Sequence, residues 1–105
     1  MNIYPRFYFL PLGPDCLDSC RLCEVAGCRD PRHRTAGDLE RLLRRAAAGE
    51  FAGVEFSAAF LLREDKSHWL EACAALGLRA AVQVSWRSLG GQQIPAGLEL
   101  NVLFD

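Results

Sequence analysis

The sequence lacks several features that would assign it to a class at once. It has no run of about 18 apolar residues, so no membrane-spanning helix is predicted. It has no excess of basic residues, since 12 Lys and Arg stand against 13 Asp and Glu, and this balance argues against a nucleic-acid partner. The N-terminus has no basic segment before an apolar stretch. We therefore expect no signal peptide, a cytoplasmic protein and no membrane partner.

No low-complexity linker divides the chain. Its 105 residues, half of them apolar, fit a single globular domain spanning residues 1–105. The apolar content and the net charge of −1 also exclude an intrinsically disordered chain, which would have low hydrophobicity and high net charge.

Cysteine is the informative part of the composition. The chain has five cysteines, and four of them lie in one thirteen-residue segment: Cys16, Cys20, Cys23 and Cys28. An odd total argues against a closed disulfide framework, and clustered cysteines in a cytoplasmic protein indicate metal or redox chemistry. The fifth, Cys73, falls on the apolar stripe of a predicted helix, where we expect a small core residue.

A strand, a loop and a helix are predicted in the first half of the chain. Residues 6–10 form an aromatic and apolar run typical of a buried strand. Residues 14–34 lack periodicity and are predicted to form a loop. Thr35, with Asp38 three residues later, forms a helix start signal, and Gly49 stands where the residue after a helix belongs.

Strands alternate with a helix in the second half. Three more strands are predicted, at residues 53–59, 78–86 and 98–104. The helix between the first two begins at Asp65 or Ser67 and ends at Gly77. This order predicts an α/β fold with a small, mostly parallel sheet of about four strands and two to three helices. Such a sheet has two open edges and an uncovered face, so we expect a protein partner or a homodimer to cover it.

The spacing of the first three clustered cysteines is specific. Cys16, Cys20 and Cys23 form a C-x3-C-x2-C triplet directly after a predicted strand and before a predicted helix. Three thiolates at this spacing can ligate three irons of a cubane cluster and leave the fourth iron open. The triplet, its loop position at 14–34 and the strand–helix order after it resemble the radical S-adenosylmethionine (radical SAM) superfamily. The resemblance covers nearly the whole chain, as the N-terminal half of the family's βα barrel, a half TIM-type barrel.

The resemblance implies an iron–sulfur function. The triplet would hold a [4Fe–4S] cluster, whose open iron would bind the amino and carboxylate groups of SAM. Reductive cleavage of SAM would then give methionine and a 5′-deoxyadenosyl radical for modification of a substrate. The chain corresponds to about half of a usual catalytic domain, so a partner would supply the rest of the barrel.

The resemblance also implies where SAM would lie, at the carboxyl ends of the strands. The candidate cofactor-binding residues are Ser57, Ala58, Ala59, Ser85 and Asp105. The first three, together with Phe60, form the stretch that stands where the family has its Gly-Gly-Glu-type segment, and the two alanines are small enough for close approach of a ligand to the backbone. Phe60 follows where a carboxylate is expected, and it cannot accept a hydrogen bond from an ammonium group. Glu64 or Asp65 would have to reach back from the loop.

An alternative uses the fourth clustered cysteine. The candidate metal ligands are then Cys16, Cys20, Cys23 and Cys28. Four thiolates suit tetrahedral zinc or a fully ligated iron–sulfur cluster. A fourth thiolate would fill the open iron and remove the site for SAM. The protein would then be a noncatalytic module for electron transfer or assembly, or an accessory subunit that has lost SAM binding.

Overall fold

The computed structural model describes residues 6–10, 12, 35–91 and 93–103. The loop predicted at 14–34, with its four cysteines, and Asp105 lie outside these residues. In chain order, the elements within them are β1 (Phe7–Leu10), α1 (Ala36–Ala48), β2 (Gly53–Phe56), a 3₁₀ helix (Ala58–Leu62), α2 (Lys66–Ala75), β3 (Arg79–Ser85), α3 (Trp86–Leu89) and β4 (Leu98–Leu103). No helix of the described segments is long and apolar enough to cross a membrane.

The strands form one parallel sheet in the order β1-β2-β3-β4. Phe56 at the end of β2 lies opposite Leu10 of β1 and Val82 of β3, so the carboxyl ends of these neighbouring strands lie along the same edge. The predicted α/β fold is confirmed: four parallel strands alternate with helices, which provide the crossover connections that parallel strands need.

One face of the sheet carries the core. Helices α1 and α2 both pack on it, because each presents an apolar stripe: Leu39, Leu43 and Ala46 from α1, and Trp69 and Cys73 from α2. They meet the alternate strand residues that point the same way, which include Leu10, Val54, Phe56, Val82 and Val84. We call this the core face, and the opposite side the open face. Cys73 is buried as expected, and burial raises the pKa of its thiol to about 11, which leaves it unreactive.

Helix α1 begins as predicted. The backbone N–H of Asp38 donates to Thr35 Oγ1 (3.1 Å), and the backbone N–H of Thr35 donates to the Asp38 carboxylate (3.2 Å). This reciprocal capping box satisfies two backbone donors that the first turn leaves unpaired. The same hydrogen bonds hold the pKa of Asp38 below its usual value.

The end of α1 differs from the prediction by one residue. Glu50, not Gly49, takes the left-handed backbone, with φ of 64°. The N–H of Phe51 reaches back to the carbonyl of Ala46 (3.2 Å), which is the long hydrogen bond of a Schellman motif. The Phe51 ring packs edge-on against Tyr8 of β1, at 5.3 Å between centroids. This contact fixes where the turn closes, and the left-handed position therefore falls on a glutamate.

The strand predicted at 53–59 stops at Phe56. Beyond it the chain turns into the 3₁₀ helix, where the N–H of Phe60 donates to the carbonyl of Ser57 (3.0 Å). The Phe60 ring stacks on Phe56, with centroids 4.3 Å apart and planes 12° apart, and is fully buried. Burying this ring requires the chain to turn back, and the two intervening alanines have little strand preference to oppose it.

Candidate functional site

The carboxyl edge of the sheet contains the described candidate residues. Ser57, Ala58 and Ala59 follow β2, and Ser85 ends the adjacent strand β3. Ligand sites of parallel α/β sheets form at this edge, because the loops that follow the strands converge there. The four clustered cysteines and Asp105 lie outside the described residues.

Ser57 ties the end of β1 to the end of β2. Its Oγ accepts a hydrogen bond from the backbone N–H of Leu12 (3.1 Å), and its own N–H donates to the carbonyl of Leu10 (3.1 Å). Ser57 is 2% exposed and Leu12 is 4% exposed, so water does not compete for these groups. The serine thus fixes the chain where it leaves β1, four residues before Cys16.

The segment where the resemblance predicts contacts with SAM is buried. Ala58 and Ala59 lie in the 3₁₀ helix with little exposure, and Phe60 belongs to the core. Ser85, at the end of β3, is buried as well. The segment therefore offers small side chains and backbone groups, and no carboxylate at position 60.

Asp65 already has three hydrogen bonds. The guanidinium of Arg63 donates to both carboxylate oxygens, at 2.8 and 2.9 Å, and the indole N–H of Trp69 donates to Oδ2 (2.7 Å). These bonds, led by those from Arg63, lower the pKa of Asp65 to about 2. Asp65 stands at the helix start as predicted, but it binds side chains and caps no backbone N–H. Glu64 beside it is exposed.

Three polar side chains meet on the open face, in a group that the sequence analysis missed. The side-chain amide of Gln83 donates to Glu55 Oε1 (3.0 Å), and that of Asn101 donates to Glu55 Oε2. We call Glu55, Gln83 and Asn101 the amide–carboxylate cluster. The sequence does contain a signal for this group. Strands buried on both faces are continuous apolar runs, whereas β2, β3 and β4 carry polar residues at alternate positions.

A second polar pair lies nearer the amino ends of the strands. The guanidinium of Arg79 donates to the carboxylate of Glu99 (2.7 Å to Oε2) and lies 5.0 Å above the Phe7 ring. The hydrogen bond to Arg79 lowers the pKa of Glu99. Gly53 lies between Phe7 and Arg79, where a Cβ would come within 2.4 Å of the Arg79 carbonyl oxygen. Only glycine allows this approach.

Metal ligation is not found in the described part of the chain. The described ranges contain no group of three or more His, Cys, Asp or Glu side chains able to hold a metal ion. The predicted metal ligands all belong to the cysteine segment, so the metal site depends on residues beyond those ranges.

Comparison with known proteins adds no assignment. No protein-family model matches the chain, and no significant match was found among curated proteins or among solved structures.

Proposed function

We propose that the protein is an iron–sulfur protein resembling radical SAM enzymes, which binds a [4Fe–4S] cluster through Cys16, Cys20 and Cys23. The observation that carries the proposal is the C-x3-C-x2-C triplet directly after the first strand of a parallel sheet in sequential order. Three thiolates leave one iron open for a ligand. A cytoplasmic setting, where thiols stay reduced, suits such a site.

The described fold supports this proposal in two respects. Four parallel strands in chain order, with α1 and α2 on one face, are compatible with half of a βα barrel. The hydrogen bond from Leu12 to Ser57 fixes the chain between β1 and the triplet at the carboxyl edge. The cysteines that would hold the iron–sulfur cluster come a few residues after Leu12, so the chain would enter the cluster site from a fixed position beside Ala58 and Ala59.

The chain's own residues would bind and orient SAM at this edge. When bound, the cluster would supply the electron for reductive cleavage of SAM. The small Ala58 and Ala59 would allow close approach to the backbone, and Ser85 and Asp105 would add polar contacts. Because Phe60 is buried in the core and Asp65 is held by Arg63 and Trp69, neither would hold the SAM ammonium group.

A second candidate function follows from the same observation together with Cys28. With four thiolates, the site would hold zinc or a fully ligated cluster, and the protein would serve electron transfer, assembly or an accessory role. The buried Phe60, in place of the expected carboxylate, favours this candidate because it weakens the case for SAM binding.

Anaerobic reconstitution of the full chain with iron and sulfide distinguishes the two candidate functions. We expect iron uptake, a reduced-cluster electron paramagnetic resonance spectrum that SAM alters, loss of the cluster in Cys23→Ala and retention in Cys28→Ala. The matched control is Cys73→Ala, which removes a buried thiol outside the loop. A spectrum unaffected by SAM, with loss of the cluster in Cys28→Ala, would establish the four-thiolate module. Tight zinc binding without iron uptake would exclude both iron sites.

The open face and the two edge strands are the basis for proposing a partner. Strands β1 and β4 lie at the two edges of the described sheet, and α1 and α2 both pack on the core face. Exposed edges and faces of parallel sheets are usually covered. Either a different protein or a second copy would fill this role, and sedimentation of the purified chain tests the second: a stable dimer supports the second copy, and a monomer excludes it.

A further inference from the structure

We propose that the amide–carboxylate cluster is a binding site for a small organic ammonium ion. The proposal concerns the middle of the open face and does not depend on the iron–sulfur function. It rests on the convergence of Glu55, Gln83 and Asn101, on the charge that they leave unbalanced, and on an aromatic residue beside them.

The pairing register of the strands brings the three side chains of the cluster together. Glu55 is 28 residues from Gln83 and 46 from Asn101 in sequence, yet its two carboxylate oxygens each receive an amide N–H from one of them. Strand β3 separates β2 from β4, and Ala81 stands opposite Glu55 on β3. Its methyl group is small enough for the Glu55 side chain to reach across, and Ala81 is 1% exposed.

The charge of the cluster is unbalanced within the described residues. Four other carboxylates in this part of the chain pair with arginines: Asp38 with Arg41, Glu40 with Arg44, Asp65 with Arg63 and Glu99 with Arg79. Glu55 is half-buried, and its partners here are two neutral amides. A partly desolvated carboxylate without a cation is costly, and a bound cation would compensate it.

The acceptors of the cluster suit an ammonium group. Each amide donates its N–H to Glu55, which leaves its oxygen as an acceptor beside the carboxylate lone pairs. An ammonium ion carries three N–H donors and no acceptor. A divalent metal ion is a poorer match, because it selects sites with more oxygen ligands and more negative charge.

An aromatic side chain stands next to this negative charge. Phe9 of β1 lies directly opposite Glu55 in the parallel register, so both side chains project from the open face. A ring beside a carboxylate offers a cation a π face as well as a counter-charge. A small ammonium ion with an apolar tail would use both.

The test is a titration of the full-length protein with n-butylammonium chloride, followed through the side-chain amide resonances of Gln83 and Asn101 in ¹⁵N-correlated NMR spectra. We expect saturable shifts with n-butylammonium. We expect none with sodium chloride at equal ionic strength, and none with tetramethylammonium, which has no N–H donor. Absence of saturation, or equal shifts with tetramethylammonium, overturns the proposal.

Two variants assign the binding to the cluster. Glu55→Gln keeps the shape and removes the charge, and should weaken binding at least about tenfold. Glu99→Gln is the matched control on the same face and should retain the wild-type affinity. Phe9→Leu should weaken binding about two- to tenfold. If the backbone spectrum shows that Glu55→Gln is not folded, the affinity of Phe9→Leu tests the site in its place. Unchanged affinity in the folded variants refutes the site.

Discussion

Replacing Ser57 with alanine removes a single oxygen atom from the carboxyl edge of the sheet. That oxygen accepts the backbone N–H of Leu12 at 3.1 Å, and both residues are buried. Alanine keeps the Cβ, so little apolar packing is lost. The main effect is that the Leu12 amide loses its acceptor in a place that water does not reach. The chain leaving β1 also loses one of the two hydrogen bonds that connect it to the end of β2.

The magnitude follows from this unpaired donor. A buried donor without an acceptor costs about 1–3 kcal/mol, and removing the buried hydroxyl recovers a part, so we expect Ser57→Ala to lower the free energy of unfolding by about 1.5 kcal/mol. That is a large share of the roughly 5–15 kcal/mol that stabilises a domain. With a urea m-value of about 2 kcal/mol/M, the midpoint should fall by about 0.7 M.

Urea unfolding of Ser57→Ala, with its metal content matched to the wild type, measures this loss. The matched control is Ser67→Ala, the same chemical change at an exposed position of α2, which should leave the midpoint nearly unchanged. Amide hydrogen exchange gives a local readout, because Leu12 should lose protection in Ser57→Ala. Equal midpoints for the two variants, with Leu12 still protected, would refute the proposed tie between the strands.

Three further predictions follow from the backbone and from Asp65. Glu50→Gly should raise the free energy of unfolding by about 1 kcal/mol, because glycine adopts the positive φ of 64° without strain. Urea unfolding of Glu50→Gly tests this, with Glu50→Ala measured as the control. Gly53→Ala should lower it by about 3 kcal/mol, since the new Cβ would lie 2.4 Å from the Arg79 carbonyl oxygen; a thermal midpoint close to the wild type would contradict that contact. The folded pKa of Asp65 is depressed from 3.8 to about 2, so its stabilisation is fully present above the unfolded pKa and is lost as pH falls through the folded one. Because Asp65 is partly exposed, we expect about 1 kcal/mol after allowance for screening, and Asp65→Asn should abolish this part of the acid dependence between about pH 4 and pH 2. An unchanged slope in that range would show that the pair with Arg63 does not contribute.

Local patterns were sufficient for most of the fold. The capping box of Thr35 and Asp38 and the glycine after α2 were predicted from residues that act on their immediate neighbours. Gly77 adopts φ of 73° at the end of α2, as a residue in this position should. The parallel sheet was also predicted, because strands that alternate with helices are joined by crossover connections.

The features that the sequence did not predict depend on contacts between residues distant in sequence. Nothing near Phe60 in the sequence shows that its ring stacks on Phe56, so the predicted strand ran three residues too far. The glutamate at position 50 has no local preference for a left-handed backbone. The amide–carboxylate cluster joins residues 28 and 46 positions apart, and only the register of three strands brings them together.

The amide–carboxylate cluster also bears on what would cover the open face. A closed barrel of eight strands fills its interior mainly with branched apolar side chains, whereas this face carries Glu55, Gln83 and Asn101. A second copy closing over the face would enclose two Glu55 carboxylates in one space of low dielectric. Their repulsion, added to the cost of desolvating each, would oppose that assembly. A different protein that brings a cation to the cluster would meet no such repulsion. Of the two occupants proposed for the open face, charge therefore favours a different partner over a second copy.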